Sequence, residues 1–231
     1  MKLSVLIYNT IASVSLQENR GIISPLIIKK YANILTSNTN EDIELDVDYR
    51  VLVDNAFLFI NEAIQRLSNL DKLPPKIVER DVENGLIDLT EVEDLDRVLN
   101  VYTYKSKEII NYGFNEIDHK KLLVLDNVNS KVYIEYYPDI RLFDMGDISY
   151  YEDPTTHEIT DNDIELNDFG ITNKMANYIS IYARGKLGYD IYGSEANQYV
   201  NQAEAYFNDL DSFGGRTLHF QNHIDSKYKV I

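Results

Sequence analysis

The period of the apolar residues changes twice along this chain. Val53, Ala56/Phe57, Ile60, Ala63/Ile64 and Leu67 recur at three- and four-residue steps, the spacing of one helix face, until Pro74-Pro75 stops the pattern. From Lys76 to Tyr137 the pattern alternates in segments rich in β-branched and aromatic residues: Ile87-Asp88-Leu89, Val98 to Thr103, Leu122 to Leu125, and Val132 to Tyr137. Helical spacing then returns in Ile171, Met175, Tyr178/Ile179 and Tyr182, and again in Ala196, Val200, Ala203, Phe207 and Leu210. The order is therefore helix, sheet, helical hairpin. It predicts an α+β protein. An N-terminal helix and a C-terminal helical hairpin form a helical bundle, with a small antiparallel β-sandwich or barrel inserted between them. Asp126 to Ser130 reads as a five-residue turn making the last two strands an antiparallel hairpin.

The expected boundaries follow from these changes. Residues 1–45 form an N-terminal helical extension, 46–75 and 166–211 the helical domain, and 76–140 the β domain. Residues 141–165 read as an acidic loop without sustained period, and 212–231 as a C-terminal docking tail behind Gly214-Gly215. Ser24-Pro25 is a helix start, with serine as cap and proline in the first turn. Ser194 is a cap for the last helix. Leu3, Leu6/Ile7, Thr10/Ile11 and Val14 share a helical stripe, so the first segment is expected to be a docking helix rather than an export leader. No apolar run approaches the length of a transmembrane helix.

Thirty-eight acidic and 22 basic side chains give a net charge of −16. Gripping nucleic acid requires an excess of Lys and Arg, so a wrapping role is excluded. The acid is banded: residues 41–100 carry −10 and 141–170 carry −8, against +3 for 1–40 and zero for 171–231.

The chemistry that commonly marks enzymes is sparse. With no cysteine, disulfides, thiolate catalysis and Cys-ligated metals are excluded. His219 and His223 are four apart, but in a Gly- and polar-rich tail that lacks the helical His-x-x-x-His setting of a zinc pair. Asp161, Asp163 and Glu165 alternate like a calcium loop. Yet Leu166 stands where glycine is needed and Thr172 where a closing Glu belongs. Phosphate loops and nucleophile elbows are missing. Glu152, Asp153, His157 and Glu158 form the one close acid-and-base group, the candidate for a hydrolase. No metal or cofactor is expected. The chain has eighteen tyrosines and no tryptophan, and six of the tyrosines, Tyr178, Tyr182, Tyr189, Tyr192, Tyr199 and Tyr206, crowd the C-terminal hairpin, as core rings or as contacts to neighbours.

Three groups of segments carry a resemblance: Asp54 to Ile64 with its Asn-Glu-Ala centre, the strands Val98 to Tyr102 and Val132 to Pro138, and the helices through Met175 to Ile179 and Ala203 to Phe207. In these the chain resembles the head-to-tail connector, or adaptor, ring proteins of tailed bacteriophages, of the tail-tubular-A-like and crAss-like phage kind. It departs from them at Leu166, which Asn167 follows where that family places proline. The resemblance implies a non-enzymatic virion protein at the portal vertex, assembled in the host cytoplasm. It implies partners in the portal, other tail or ring proteins and further copies of itself in a dodecameric ring, with genomic DNA passing unbound through the lumen. It further implies that the tail docks the portal or a neighbour through Phe213, Leu218, Phe220, Tyr228, Val230 and Ile231. A tail-associated cell-wall hydrolase and a monomeric β-sandwich binding module are the alternative readings.

Overall fold

The computed structural model describes residues 1–15, 24–37, 47–117, 120–125, 128, 130–192 and 196–210. The chain divides into two compact units, one of Met1–Lys72 with Arg141–Asp211, the other containing Leu73–Ile140. Helices and antiparallel sheets are both present, so the chain is α+β.

The first unit is built on five helices among the described residues: α1 (Leu3–Ser15), α2 (Pro25–Ser37), α3 (Val47–Asn69), α4 (Asn173–Tyr192) and α5 (Ala196–Asn208). In α1, Leu3, Leu6, Ile7 and Ile11 are wholly buried, each contributing about 2 kcal/mol. Helix α1 packs on α2, α3 and α4, so the segment expected to be an extension is part of this unit's core. Its apolar spacing specified the helix; only packing could show that the helix was integral. Ser24 caps α2, its Oγ accepting the Ile27 N–H at 3.3 Å. Helix α3 ends before Pro74-Pro75. Asp71 turns left-handed at φ 53°, while the Lys72 and Asp71 N–H groups reach back to the Leu67 and Ser68 carbonyls. Thr172 caps α4 by accepting the Met175 N–H at 3.3 Å. Helices α4 and α5 approach closely at Gly185, where a Cβ would lie 3.0 Å from Val200 Cγ2.

The second unit holds two antiparallel sheets. Strands β1 (Lys76–Arg80), β3 (Leu95–Thr103), β4 (Ile109–Ile110) and β7 (Val132–Pro138) form one, in the order β1-β7-β3-β4. Strands β2 (Leu86–Asp88), β5 (Tyr112–Ile117) and β6 (Lys120–Leu125) form the other, in the order β2-β6-β5. Ile87, Leu89, Leu123 and Leu125 from the β2-β6-β5 side share one core with Val101, Val132, Ile134 and Tyr136 of the larger sheet. The sheets do not close into a barrel. The expected hairpin between the last two strands is not formed: β6 pairs with β2 and β5, and β7 with β1 and β3. Both strands carry an apolar face, and the shared core lets those faces meet across it instead of side by side.

Residues 141–165, expected as a loop, contain a hairpin of β8 (Ile148–Glu152) and β9 (Ile159–Asp163) packed on α2. Strand β9 is Ile-Thr-Asp-Asn-Asp, nearly all exposed, so it lacks the apolar alternation by which a strand is read.

Candidate functional site

Residues 81–96 carry seven carboxylates and no lysine or arginine. Ile87, Leu89, Val92 and Leu95 are buried in the core of the β unit, while Asp88, Glu91 and Glu93 between them and Asp96 just after them face solvent. The apolar residues therefore fix the direction of the acid: an anchored ribbon presents carboxylates outward. Asp94 is the exception. Burial alone would raise its pKa, but Lys76 at 2.5 Å and the Tyr136 hydroxyl at 3.0 Å outweigh that and hold it below the ordinary value. The ribbon starts at a two-residue turn, Asn84-Gly85, with positive φ at both positions; Glu83 and Leu86 exchange N–H···O bonds of 2.9 Å across it. Of the nearby cations, Arg80 Nη1 donates to the Glu79 carbonyl at 3.1 Å, and Lys131 pairs with the Glu79 carboxylate at 2.6 Å.

In the second acidic band, three carboxylates meet cations within the helical unit. Asp147 is buried and paired with Arg141, and its Oδ2 accepts the Asp144 N–H at 2.9 Å. Asp161 and Asp163 converge on the buried Lys29 at 2.5 and 3.7 Å, and Asp163 also accepts from Ser4 N and Oγ at 3.1 and 2.7 Å. The alternating carboxylates that resemble a calcium loop thus tie β9 to α1 and α2. Among the described residues no group of three or more His, Asp and Glu is arranged to hold a metal ion.

Glu152, Asp153, His157 and Glu158 come together at the tip of the β8–β9 hairpin. His157 Nδ1 lies 3.4 Å from Glu152 Oε1, with His157 77% and Glu152 50% exposed. Asp153 accepts the backbone N–H groups of Thr156 and Thr155 at 2.9 and 2.7 Å, which lowers its pKa. A general acid working near neutrality needs the opposite shift and a sheltered setting. The tip has the construction of a turn.

The tail residues Phe213, Leu218, Phe220, Tyr228, Val230 and Ile231, with His119, His219 and His223, lie outside the described residues. Tyr178 and Tyr182 sit at the junction of α3, α4 and α5, where Tyr178 packs on Phe207 with ring centroids 5.1 Å apart. Arg66 of α3 lies 4.6 Å from the Phe207 centroid and grips Glu204 of α5 through two parallel bonds. Glu62 of α3 accepts from Tyr182 and from Lys186 of α4, the latter at 3.1 Å. Tyr206, by contrast, is 37% exposed. These two tyrosines are interior rings with polar tips; the side chains of Tyr189 and Tyr192 are outside the described set.

No helix among the described residues is long and apolar enough to cross a membrane. No protein-family model and no curated protein matches the chain.

Proposed function

We propose that the chain is a non-enzymatic structural subunit of a tailed-phage virion, forming a homo-oligomeric ring below the portal that continues the DNA channel from capsid to tail. We read the helical unit as a bundle and the two facing sheets of the β unit as a sandwich. The supporting observation is the ribbon at 81–96, whose carboxylates are directed outward by buried apolar neighbours. Facing a lumen, such a strip repels the phosphate backbone and lets DNA pass without adhering. Of the two acidic bands, this one suits a channel wall better, because carboxylates at 147, 161 and 163 already have internal cations.

Light scattering and negative-stain microscopy of the protein, with and without its portal, test this reading. Rings stacked on the portal are the expected result. A monomer that ignores the portal overturns it and brings the binding-module and hydrolase readings forward.

A further inference from the structure

An open cleft of about 470 Å³ lies in the β unit beside the Asn84-Gly85 turn. Leu86, Ile87 and Leu122 are its apolar lining residues, Asp81, Glu83 and Asp88 its carboxylates, and Arg80 its cation. Leu86 is 43% exposed. A lining of leucines and carboxylates fits an extended segment that alternates ammonium groups with apolar side chains, because lysine stems can lie on the leucines while their tips reach the carboxylates. The chain carries such a segment in Lys227-Tyr228-Lys229-Val230-Ile231, outside the described residues.

We propose that in the free protein this C-terminal segment docks in the cleft of its own chain, covering the first part of the acidic ribbon, and leaves it when the tail binds the portal. Lys72 Nζ holds the Leu210 carbonyl at 2.7 Å, and Lys72 is the last residue before the β unit begins at Leu73. Leu210, the last described residue, is therefore held beside Lys72 within the helical unit. From Leu210 to Lys227 the chain spans up to about 55 Å when extended, against at most about 26 Å from Leu73 to Asp81, so the segment reaches the cleft from any direction. A tether of this length gives an effective concentration of about a millimolar, which favours the chain's own tail over that of another copy. The docking requires neither ring nor portal.

The absence of cysteine makes disulfide trapping a direct test. In the full-length protein, Leu86→Cys with Val230→Cys keeps every charged group of cleft and tail. A disulfide forms only when the two Cβ atoms approach within about 4 Å. Under dilute oxidising conditions this pair closes within one chain about fivefold faster than Gln65→Cys with Val230→Cys, an excess of the size two exposed ion pairs give at low salt. Adding Asp81→Lys and Asp88→Lys removes the excess, as does about 1 M salt, where the screening length falls to about 3 Å. Equal rates for the two pairs overturn the proposal. Cross-linked dimers in place of closed monomers also overturn it, assigning the cleft to a second copy, and so does an excess that survives both charge reversal and salt.

Discussion

Two hydrogen bonds converge on one carboxylate oxygen of Glu135, from the Tyr102 hydroxyl and the Asn100 amide, each at 2.7 Å, and the side chain is only 1% exposed. Burial, followed by the bond to Glu135, raises the Tyr102 pKa, so this phenol remains a donor throughout the working pH range. Glu135→Ala strands both donors and is expected to lower stability by about 3 kcal/mol in urea unfolding, while Glu135→Gln keeps an acceptor and costs less. At Gly85 the constraint is the backbone: φ is +75°, and a Cβ would meet the Leu125 carbonyl oxygen at 2.8 Å. Gly85→Ala is expected to cost about 2 kcal/mol by the same measurement, whereas Asn84→Gly is nearly neutral. Asn84-Gly85 is legible in sequence as a turn signal. Glu135 is not: within Val132 to Tyr137 it reads as an outward polar residue, and only the placement of Asn100 and Tyr102 on the adjoining strand makes it an interior acceptor.

Among the elements, the junction of α3, α4 and α5 carries charge that reports on pH. Burial alone would raise Glu62, but Tyr182, Lys186 and Arg66 together hold it below its ordinary value of 4.5. Glu204 is lowered chiefly by its bonds to Arg66. A depressed carboxylate stabilises the fold fully above its unfolded pKa and loses that contribution as the pH falls through its folded one. The expected loss therefore lies below about pH 4.5. Urea midpoints of Glu62→Gln/Glu204→Gln should start lower than those of the parent at neutral pH and fall less between about pH 5 and 3. A parallel decline in both proteins would show that the acid sensitivity arises elsewhere. The helices themselves were readable from apolar spacing, because each buries one stripe. Strand β9 was hidden, because ion pairs and hydrogen bonds from neighbouring helices hold it instead of a stripe of its own.

For the molecule as a whole, the acidic ribbon makes the sharpest prediction. Glu91, Glu93 and Asp96 are exposed, so changing each to lysine should alter stability by less than about 0.5 kcal/mol. Gel-shift assays should find the parent indifferent to duplex DNA. The triple-lysine variant should bind it with a log–log salt slope of about −2 to −3. In an assembled particle, the same variant should slow DNA release; unchanged release would remove the ribbon from the channel wall. Truncation after Asp211 is expected to leave the fold intact and to abolish portal binding, measured by co-sedimentation.

The sequence by itself determined the α+β class, the positions of the main helices, the acidic excess and the lack of thiol chemistry. These depend on local periodicity and on composition, which a linear chain displays directly. Tertiary structure alone decided that α1 belongs to the core, that β6 and β7 enter different sheets, and that the carboxylates of Asp147, Asp161 and Asp163 meet cations while those of Asp88, Glu91, Glu93 and Asp96 point outward. Each of those outcomes depends on which distant residue arrives opposite a given side chain. Asp163 acquires Lys29 and Ser4 from elements more than a hundred residues away, whereas Asp88, Glu91 and Glu93 are turned to solvent by the buried Ile87, Leu89, Val92 and Leu95 beside them.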